Sequence, residues 1–258
     1  MVRPQDPYDS PRLWDLAFRD ETQPEAEFLS AAAKLYLGLA APRTLEIGCG
    51  GGRQVLELAR RGWPVCAFDL NANCVRTVRQ RVARNRLNAV VLQQDMRCFS
   101  APGPFELVHC LVNTFRHLLT ETDARQHLEC VASHLAPGGL YVLGFHLLPP
   151  DAEEFDCERW TVHRGQLRVT TTVRVLEFSR QKRIERLRFS LKATSPVKIQ
   201  RLQAEHLLRI YRADQFRRLL RSVPSLRLLG VFDFCYEIAE PLPLNDELGD
   251  AVFVLQKV

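Results

Sequence analysis

Three carboxylates occupy similar places in the first part of the chain, each at or near the end of a short apolar run. They are Glu46, Asp69 and Asp95. Short apolar runs bounded by turn residues are typical of buried strands. Carboxylate oxygens accept hydrogen bonds from hydroxyl, amino and ammonium groups. Three of them at the ends of neighbouring strands could therefore hold a polar ligand that carries several donors.

A glycine-rich turn follows the first apolar run, in the segment TLEIGCGGGR of residues 44–53. Glycine takes up positive φ freely and lets a ligand approach where a Cβ would collide. Residues 54–59 then have the spacing of an amphipathic helix. Strand, glycine turn and helix together form the point where an open parallel sheet presents backbone N–H groups to a ligand.

The glycine spacing does not fit the dinucleotide-binding pattern G-x-G-x-x-G. If Gly48 begins that pattern, the third glycine falls at Arg53, and if Gly50 begins it, at Val55. A nicotinamide or flavin site is therefore a poor interpretation. Glu46, two residues before the first glycine, suits a ligand with an ammonium group better than one with a pyrophosphate.

At these residues the chain resembles the class I, Rossmann-like, S-adenosylmethionine-dependent methyltransferases. The resemblance rests on Glu-x-Gly-x-Gly-x-Gly at residues 46–52 and on a helix, Pro-Gly-Gly, strand step around residues 137–139. It covers residues 8–145 well and residues 205–258 loosely. It implies S-adenosylmethionine as the cofactor and methyl transfer as the activity.

The resemblance also implies roles for the three carboxylates. Glu46 would orient the amino-acid end of the cofactor through water, and Asp69 would accept hydrogen bonds from the ribose hydroxyls. Asp95 and Met96 would hold the adenine ring. A helix cap remains open for Asp69, and a plain loop position for Asp95. The implied cofactor-binding residues are Glu46, Gly48, Cys49, Gly50, Asp69, Leu70, Asp95, Met96 and Leu111.

Strand and helix patterns alternate up to residue 145, which predicts an α/β fold with a doubly wound parallel sheet. The expected strands are residues 45–47, 65–69, 89–94, 105–111 and 141–145. The expected helices are residues 25–39, 54–59, 71–85 and 120–135. After residue 150, apolar residues alternate with polar ones, many of them Arg, which is typical of antiparallel strands.

We therefore divide the chain into three parts. Residues 1–150 would form an N-terminal lid and the cofactor-binding core, and residues 151–212 an antiparallel β insertion that serves as a substrate or oligomer subdomain. Residues 213–258 would add a short helix and, by resemblance, the antiparallel hairpin that closes a seven-stranded, mostly parallel sheet. The hairpin strands are expected at residues 226–236 and 251–257.

Two aromatic–acidic pairs precede the first strand. Tyr8-Asp9 matches, and Trp14-Asp15 stands in for, the Tyr-Asp pairs that close the site in related small-molecule methyltransferases. The resemblance therefore implies a lid over the cofactor. A flap that merely packs on the core is the alternative.

Four polar residues are catalytic candidates. Methyl transfer from a sulfonium is an in-line displacement that depends on positioning and desolvation and requires no metal. Asn113 and His117 follow the fourth expected strand, and a His can act as a base near neutral pH. Arg209 and Tyr211 would share a strand face with Glu205. An ordinary helix-surface His and a structural Glu205–Arg209 pair are the alternatives.

The segment after the fourth strand indicates a small-molecule acceptor. Methyltransferases that act on base amines or glutamine amides usually have Asn/Asp-Pro-Pro-aromatic there, and Val112-Asn113-Thr114-Phe115 differs from it. Residues 113–118 resemble instead the Asn-Ser/Thr-x-x-x-His-Leu segment of small-molecule N- and O-methyltransferases, although the His comes one residue earlier. We expect transfer to nitrogen or oxygen of a small molecule.

Charge is unevenly distributed. The net charge is +5, yet residues 164–227 contain 17 Lys and Arg against 4 Asp and Glu. A solvated sheet face explains this best. An anionic substrate or an oligomer partner is the next interpretation, and nucleic acid is not expected. Two other functions stay open, an RNA methyltransferase with the insertion as its clamp and a non-catalytic methyltransferase-like binding protein.

Length and composition limit the classes of protein to which the chain can belong. A chain of 258 residues, 46% of them hydrophobic, can bury one large core. No apolar run approaches the ~20 residues needed to cross a bilayer, and no secretory signal is visible. The eight cysteines include no C-x-x-C pair and are expected to be reduced thiols, with disulfides or zinc as the alternative. We expect a cytoplasmic protein without membrane contact that can form a homo-oligomer.

Overall fold

The computed structural model describes residues 5–152 and 154–258. Its strands are β1 (Thr44–Ile47), β2 (Val65–Asp69), β3 (Ala89–Gln93), β4 (Phe105–Cys110), β5 (Leu135–His146), β6 (Cys157–Arg164), β7 (Leu167–Ser179), β8 (Ile184–Thr194), β9 (Ile199–Arg209), β10 (Leu226–Phe232) and β11 (Asp250–Lys257). Its α-helices are α1 (Pro11–Ala17), α2 (Thr22–Ala32), α3 (Arg53–Arg60), α4 (Ala72–Asn85), α5 (Glu121–His134) and α6 (Ala213–Arg221).

Seven strands form one sheet in the order β10-β11-β5-β4-β1-β2-β3. Neighbours among β1 to β5 pair in parallel, and β11 lies antiparallel between β5 and β10. The predicted seven-stranded, mostly parallel sheet is therefore confirmed. Strand order reverses beside β1, which has β2 on one side and β4 on the other. Open α/β sheets bind ligands at the carboxyl ends of their strands at such a reversal.

Helices cover both faces of this sheet. Helices α2, α3 and α4 bury Phe28, Leu58 and Val78 on one face. Helices α5 and α6 bury Leu128 and Phe216 on the other. Removing such a side chain from water stabilises the fold by roughly 1.5–3 kcal/mol. The sheet is thus fixed in the middle of the molecule, and its strand ends are held in place for a site.

The four strands of the insertion form a second sheet in the order β6-β7-β8-β9, antiparallel throughout. This confirms the predicted antiparallel insertion. Leu16 of α1 packs with Val169 and Leu191 on this sheet. On its other side α1 reaches the glycine turn, because a Cβ at Gly51 would lie 2.4 Å from the main-chain oxygen of Pro11. Residues 5–21, which precede α2 and which we call the leader, therefore lie between the insertion and the core.

Some boundaries differ from the sequence expectations. Strand β10 ends at Phe232 rather than residue 236, because Asp233 accepts a hydrogen bond from the N–H two residues later (2.9 Å). Tyr236 also has a φ of 61°, outside the strand region. Strand β5 begins at Leu135, since the chain pairs with β4 directly after α5. Strand β9 ends before Tyr211.

The cysteines are free thiols, and Cys49, Cys66, Cys74 and Cys110 are buried. Free cysteines behave as small apolar residues when buried. Within residues 5–152 and 154–258, no helix has both the length and the apolar composition that crossing a membrane requires.

Candidate active site

Two adjoining cavities lie where the strands of the large sheet end. The first, which we call the glycine-turn cavity, has a volume of about 820 Å³. The second, the insertion cavity, has a volume of about 780 Å³ and is bordered by strands of the small sheet. The residues that line both are Tyr8, Trp14, Phe18, Val112 and His117. A molecule in one cavity would therefore meet a molecule in the other across an aromatic boundary.

The glycine-turn cavity brings together all nine residues predicted to bind the cofactor. They are Glu46, Gly48, Cys49, Gly50, Asp69, Leu70, Asp95, Met96 and Leu111. The three carboxylates at the strand ends thus line one space, because the strands that carry them are neighbours in the sheet. Which ligand group each of them contacts stays a prediction.

The glycine turn exposes main chain to this cavity. Gly50 has a φ of 53°, and a Cβ there would meet no protein atom within 4 Å. Its N–H donates to Asp69 Oδ2 at 2.8 Å. Gly48 has a φ of 71°, and a Cβ there would lie 2.5 Å from Thr114 Cγ2. Gly50 therefore keeps the cavity open, whereas Gly48 also permits close packing against the segment after β4.

Asp69 is held by main-chain donors at the end of β2. Besides Gly50, the N–H of Asn71 donates to it at 2.8 Å. The side chain of Asn71, which accepts from Asn73 N at 2.8 Å, caps α4, so Asp69 is not the cap. Burial raises the pKa of Asp69. Each oxygen keeps a lone pair, and donors such as ribose hydroxyls would stabilise the ionised form.

Asp95 lies at the other end of the same cavity. Arg97 Nη2 donates to Asp95 Oδ2 at 2.6 Å, and this hydrogen bond lowers the pKa of Asp95. Met96 packs against the core, and its main-chain oxygen accepts from His127 Nδ1 at 2.8 Å. Leu70 is 67% exposed at the cavity. An ionised acceptor in a cavity that Leu70 and Met96 also line suits an aromatic ring that carries an amino group.

Residues of the leader line this cavity. The Tyr8 hydroxyl lies 3.4 Å from His117 Nε2, and its ring centroid lies 4.6 Å from that of His206. Trp14 meets Tyr8 edge to face at 4.9 Å. Asp9 accepts from Asn71 Nδ2 at 2.9 Å, which ties the leader to the start of α4. These contacts favour the lid over a flap that only packs on the core.

His117 lies at the boundary of the two cavities, at the end of a one-turn 3₁₀ helix from Thr114 to His117. Burial, together with the nearby His206 and Arg116, lowers the pKa of His117 to about 4. The ring is therefore uncharged near neutral pH. It can orient a donor, but such a low pKa makes it a weak base.

Asn113 lies in the wall of the insertion cavity with a φ of 64°. Its Oδ1 accepts from the N–H of His146 at 2.9 Å, so it ties the segment after β4 to the end of β5. Arg116 lines the same cavity, but Glu185 pairs with it. Arg116 Nε also donates to the main-chain oxygen of Arg209 at 2.9 Å. The Oδ1 of Asn113 is thus already engaged, and the charge of Arg116 is already balanced.

Arg209 and Tyr211 are not among the described residues that line either cavity. Arg209 Nη1 donates to the main-chain oxygen of Leu119 at 2.5 Å. Tyr211 is buried in the aromatic core beyond the end of β9. Glu205 pairs with Arg188 at 2.7 Å rather than with Arg209. The strand-face argument fails here because the chain leaves the sheet before Tyr211, and we do not include either residue in the proposed site.

The insertion cavity has an acidic and aromatic wall. Its aromatic residues besides the shared ones are Trp160, Phe178, Phe189, Phe234 and Tyr236. Its carboxylates are Asp20, Glu21, Glu154, Asp156, Glu158 and Glu185. Among the described residues, Arg116 is the one arginine that lines this cavity, and its guanidinium is paired with Glu185. Arg19 and Arg180 pair with Asp20 and Glu154, so the acidic character of this cavity rests on Glu21, Asp156 and Glu158.

Sequence reasoning missed several polar residues in these cavities. His109 lies within the buried strand β4, and Gln54 lies in the first turn of α3, and both line the glycine-turn cavity. A His inside an otherwise apolar strand was a visible signal. His146, whose Nδ1 lies 2.6 Å from Asp250 Oδ1, lines the insertion cavity. Asp250, the partner of His146, lies on β11, far away in the sequence, so the sequence spacing did not predict this pair.

S-adenosylmethionine fits the glycine-turn cavity on three observations. Gly50 lines it, and a Cβ there would meet no described protein atom within 4 Å. Asp69 keeps free lone pairs, and Glu46 has a buried oxygen without a partner among the described residues. When bound, the cofactor supplies an electrophilic methyl group on a sulfonium. The strand order and the lining of this cavity agree with what the resemblance to class I methyltransferases implies.

Comparisons with known proteins agree with that class. Residues 44–139 match the family model described as a methyltransferase domain. The chain is 27% identical, over 75% of its length and 73% of the relative's, to a dTDP-3-amino-3,6-dideoxy-alpha-D-glucopyranose N,N-dimethyltransferase of Streptomyces fradiae. It is 26% identical to human glycine N-methyltransferase over 52% of this chain and 51% of that one. The matched part thus spans about half the length of several curated relatives.

Solved structures share the fold. An S-adenosylmethionine-dependent methyltransferase from Clostridium acetobutylicum matches with a TM-score of 0.77 at 15% identity, over 95% of this chain and 96% of that one. A S-adenosylmethionine-bound amino pentose methyltransferase from Micromonospora echinaspora matches with a TM-score of 0.70 at 22% identity, over the same shares. The chain therefore carries a match to a methyltransferase domain at residues 44–139, within a fold that it shares with S-adenosylmethionine-dependent methyltransferases.

Proposed function

We propose that the protein transfers a methyl group from S-adenosylmethionine to an amine nitrogen of a small molecule that binds in the insertion cavity. The observation that carries this proposal is the contact of two cavities of different character. One is lined by bare main chain and strand-end carboxylates. The other is lined by aromatic rings and by carboxylates, of which Glu21, Asp156 and Glu158 form no ion pair among the described residues. The boundary between them is where a methyl group would pass.

The wall of the insertion cavity favours nitrogen over oxygen. Carboxylates attract ammonium groups, and aromatic faces bind cations with roughly 0.5–2 kcal/mol. Asp156 and Glu158 are exposed at this cavity, where they can meet an amine on its way in. The attracted ammonium must lose its proton to the solvent before the displacement. The weak base His117 then needs only to orient the neutral amine, and the methylated product loses its extra proton to the solvent. The Streptomyces fradiae relative, named as an amino-sugar N,N-dimethyltransferase, supports the same substrate class.

The β insertion at residues 151–212 acts in this proposal as the substrate subdomain. It contributes Trp160, Phe189 and Leu208 to the cavity wall, and the leader contributes Trp14. The acceptor is thus enclosed between the insertion and the leader. Closing both over the substrate would exclude water from the displacement.

An RNA substrate fits this cavity poorly. The basic residues of the insertion are numerous, yet the cavity lining carries carboxylates such as Glu21, Glu154 and Glu158. Carboxylates repel phosphates, whereas RNA-binding channels are lined with Lys and Arg. We expect no RNA binding at moderate salt, and steep salt-dependent binding would favour the RNA alternative.

The experiment is a product screen by mass. Purified protein with S-adenosylmethionine is offered small amines, including amino sugars, and the matched alcohols. We expect mass gains of a methyl group among the amines. Products among the alcohols alone would contradict the proposal. Absence of S-adenosylhomocysteine binding would contradict methyl transfer itself and would favour a non-catalytic relative.

A further inference from the structure

The small sheet presents an apolar surface to the insertion cavity. Five residues of β7, β8 and β9 form it, and we call them the apolar floor: Val173, Val175, Leu187, Phe189 and Leu208. Leu187, Phe189 and Leu208 are only 7%, 8% and 2% exposed, and the two valines pack against them. The surface is continuous, because Val173 and Val175 pair with Phe189 and Leu187 on the next strand. An apolar group placed on this floor would be removed from water, which is favourable.

Polar side chains beside the floor are bound to other protein groups. Trp160 Nε1 donates to the main-chain oxygen of Ala17 at 2.8 Å, and the guanidinium of Arg116 pairs with Glu185. A ligand rich in hydroxyl groups would lose hydrogen bonds to water on this floor without replacing them, which costs free energy. The floor therefore favours an acceptor with an apolar body over one with many hydroxyl groups.

Strand register places the floor between the boundary of the two cavities and a carboxylate. Glu158 of β6 pairs with Val173 of β7, and Val173 pairs with Phe189 of β8. Directly paired residues lie on the same sheet face, so these three form one row. At the boundary, the ring centroid of Tyr8 lies 6.0 Å from that of Phe189. Because neighbouring strands are about 4.8 Å apart, the row from Phe189 to Glu158 is roughly 10 Å long.

The far end of this row is acidic and open to water. Asp156 and Glu158 are both exposed and line the cavity. The main-chain oxygen of Asp156 accepts from the N–H of Val175 at 3.0 Å, which fixes Asp156 beside the floor. Neither carboxylate forms an ion pair among the described residues. A cationic group could meet them there while it stays hydrated, so this end attracts positive charge without a desolvation cost.

We propose that the acceptor is an elongated amine whose apolar body lies on the floor and whose far end carries a second ammonium group beside Asp156 and Glu158. The inference rests on the proposed function, because it assumes that an amine is methylated at the boundary of the two cavities. It narrows the acceptor from small amines in general to apolar diamines.

The reaction itself stays balanced as before. The near ammonium first loses a proton to the solvent, and the nitrogen lone pair then attacks the methyl carbon. The carbon–sulfur bond breaks, and its electron pair stays on the sulfur of S-adenosylhomocysteine. The methylated ammonium gives its extra proton to the solvent. The second ammonium group takes no part in these steps and serves only in binding.

A series of unbranched alkylamines tests the apolar body. Propylamine, hexylamine and octylamine have nearly the same basicity, so they differ mainly in length, and the chain of octylamine is about as long as the row. We expect kcat/KM to rise by about fourfold for each methylene that the floor buries. Glucosamine, which carries an amine among hydroxyl groups, should be a poorer acceptor than octylamine. Equal kcat/KM for propylamine and octylamine, or a preference for glucosamine, would overturn the proposal.

Val173→Thr tests whether the floor is the surface that the chain contacts. A hydroxyl in place of a methyl group should lower kcat/KM for octylamine by about threefold, and by less for propylamine, which is too short to cover Val173. Val197→Thr is the matched control, because Val197 is 94% exposed and outside the cavity. Unchanged affinity for S-adenosylhomocysteine shows that both variants are folded. Equal losses for the two amines in Val173→Thr would argue against the floor.

The second charge is tested with the eight-carbon diamine. Per amine group, its kcat/KM should exceed that of octylamine about two- to fivefold at low salt and by less at high salt. Asp156→Asn combined with Glu158→Gln should abolish this advantage. Neutralising Glu27 and Glu129, which are exposed outside the cavity, should preserve it. A diamine no better than octylamine, or an advantage that survives in the Asp156 and Glu158 variant, would overturn the proposal.

The two proposals fail separately. If the protein methylates no amine, the proposed function fails and this inference with it. If it methylates propylamine or glucosamine as well as octylamine and the diamine, the proposed function stands and only the elongated apolar acceptor is rejected.

Discussion

The glycine-turn cavity and the insertion cavity are of similar volume, about 820 and 780 Å³, but they are built differently. The first is made of main chain and buried polar side chains at the ends of neighbouring strands. The second is made of side chains from the leader, the end of β5, the insertion and the loop after β10. Its carboxylates are largely exposed, whereas Glu46 and His109 are buried.

That difference indicates how the two cavities recognise ligands. Buried groups fixed by main-chain bonds give a site that is organised before the ligand arrives. Exposed carboxylates are screened by water and salt, so each contributes little and selects by charge. We therefore expect large effects from changes in the glycine-turn cavity and small, salt-sensitive effects from changes in the insertion cavity.

The largest effect is expected from Gly50→Val. The new side chain would project into the cavity from a residue with a φ of 53°, and S-adenosylhomocysteine affinity should fall by about 100-fold or more, roughly 3 kcal/mol. Gly62→Val is the matched control, since Gly62 has a φ of 84° and open space around it but lies outside the cavity. Calorimetry that finds equal affinity in the two variants would contradict the site.

Asp69→Ala should have the next largest effect. Two ribose hydroxyls would lose their acceptor, and cofactor affinity should fall by roughly 1–3 kcal/mol. The affinities of S-adenosylhomocysteine and of 5′-methylthioadenosine, which lacks the amino-acid end, should fall alike, because both ligands contain the ribose. Asp246→Ala, an exposed change elsewhere, is the control. Unchanged affinity in Asp69→Ala would remove Asp69 from the site.

The buried histidines should make the free energy of unfolding depend on pH. Burial lowers the pKa of His109 to about 3 and that of His127 to about 4, below the unfolded value near 6.5. Unfolding therefore takes up protons below that value, and stability is lost as pH falls from about 6.5 towards 4. Denaturant titrations at several pH values give the slope of the free energy of unfolding against pH. In His109→Phe this slope should be smaller by about one proton, ~1.4 kcal/mol per pH unit. An unchanged slope would mean that His109 is not buried in its neutral form.

The smallest effect is expected in the insertion cavity. The double variant Asp156→Asn and Glu158→Gln should raise KM for an amine acceptor only about two- to fivefold at low salt, and less at high salt. Its affinity for S-adenosylhomocysteine should not change. Neutralising Glu27 and Glu129, which are exposed away from the cavity, gives the matched control. A loss of cofactor affinity in the double variant would contradict the assignment of cofactor and acceptor to separate cavities.

Local sequence predicted the glycine-turn cavity well, for a physical reason. Each strand ends beside its neighbour in a parallel sheet, so residues such as Asp69 and Asp95 meet without knowledge of distant contacts. The insertion cavity depends on packing between segments far apart in the chain. Arg209 illustrates this, because its side chain is bound by the main chain of Leu119, a contact that no spacing rule anticipates.

His109 could be predicted only in part from the sequence. Its place in a buried strand was predictable, but the residue beside it depends on the register of β4 with β1, which aligns His109 with Glu46. Pairing register across a parallel sheet is a long-range property. A polar residue in a buried strand therefore indicates a site, and only the structure shows what it faces.

The structure of the protein in complex with S-adenosylhomocysteine tests the central claim most directly. We predict the adenine beside Asp95 and Met96, the ribose hydroxyls on Asp69, and the sulfur facing the aromatic boundary at Tyr8 and His117. An adenosyl group bound elsewhere, or a sulfur that faces away from the insertion cavity, would contradict the account.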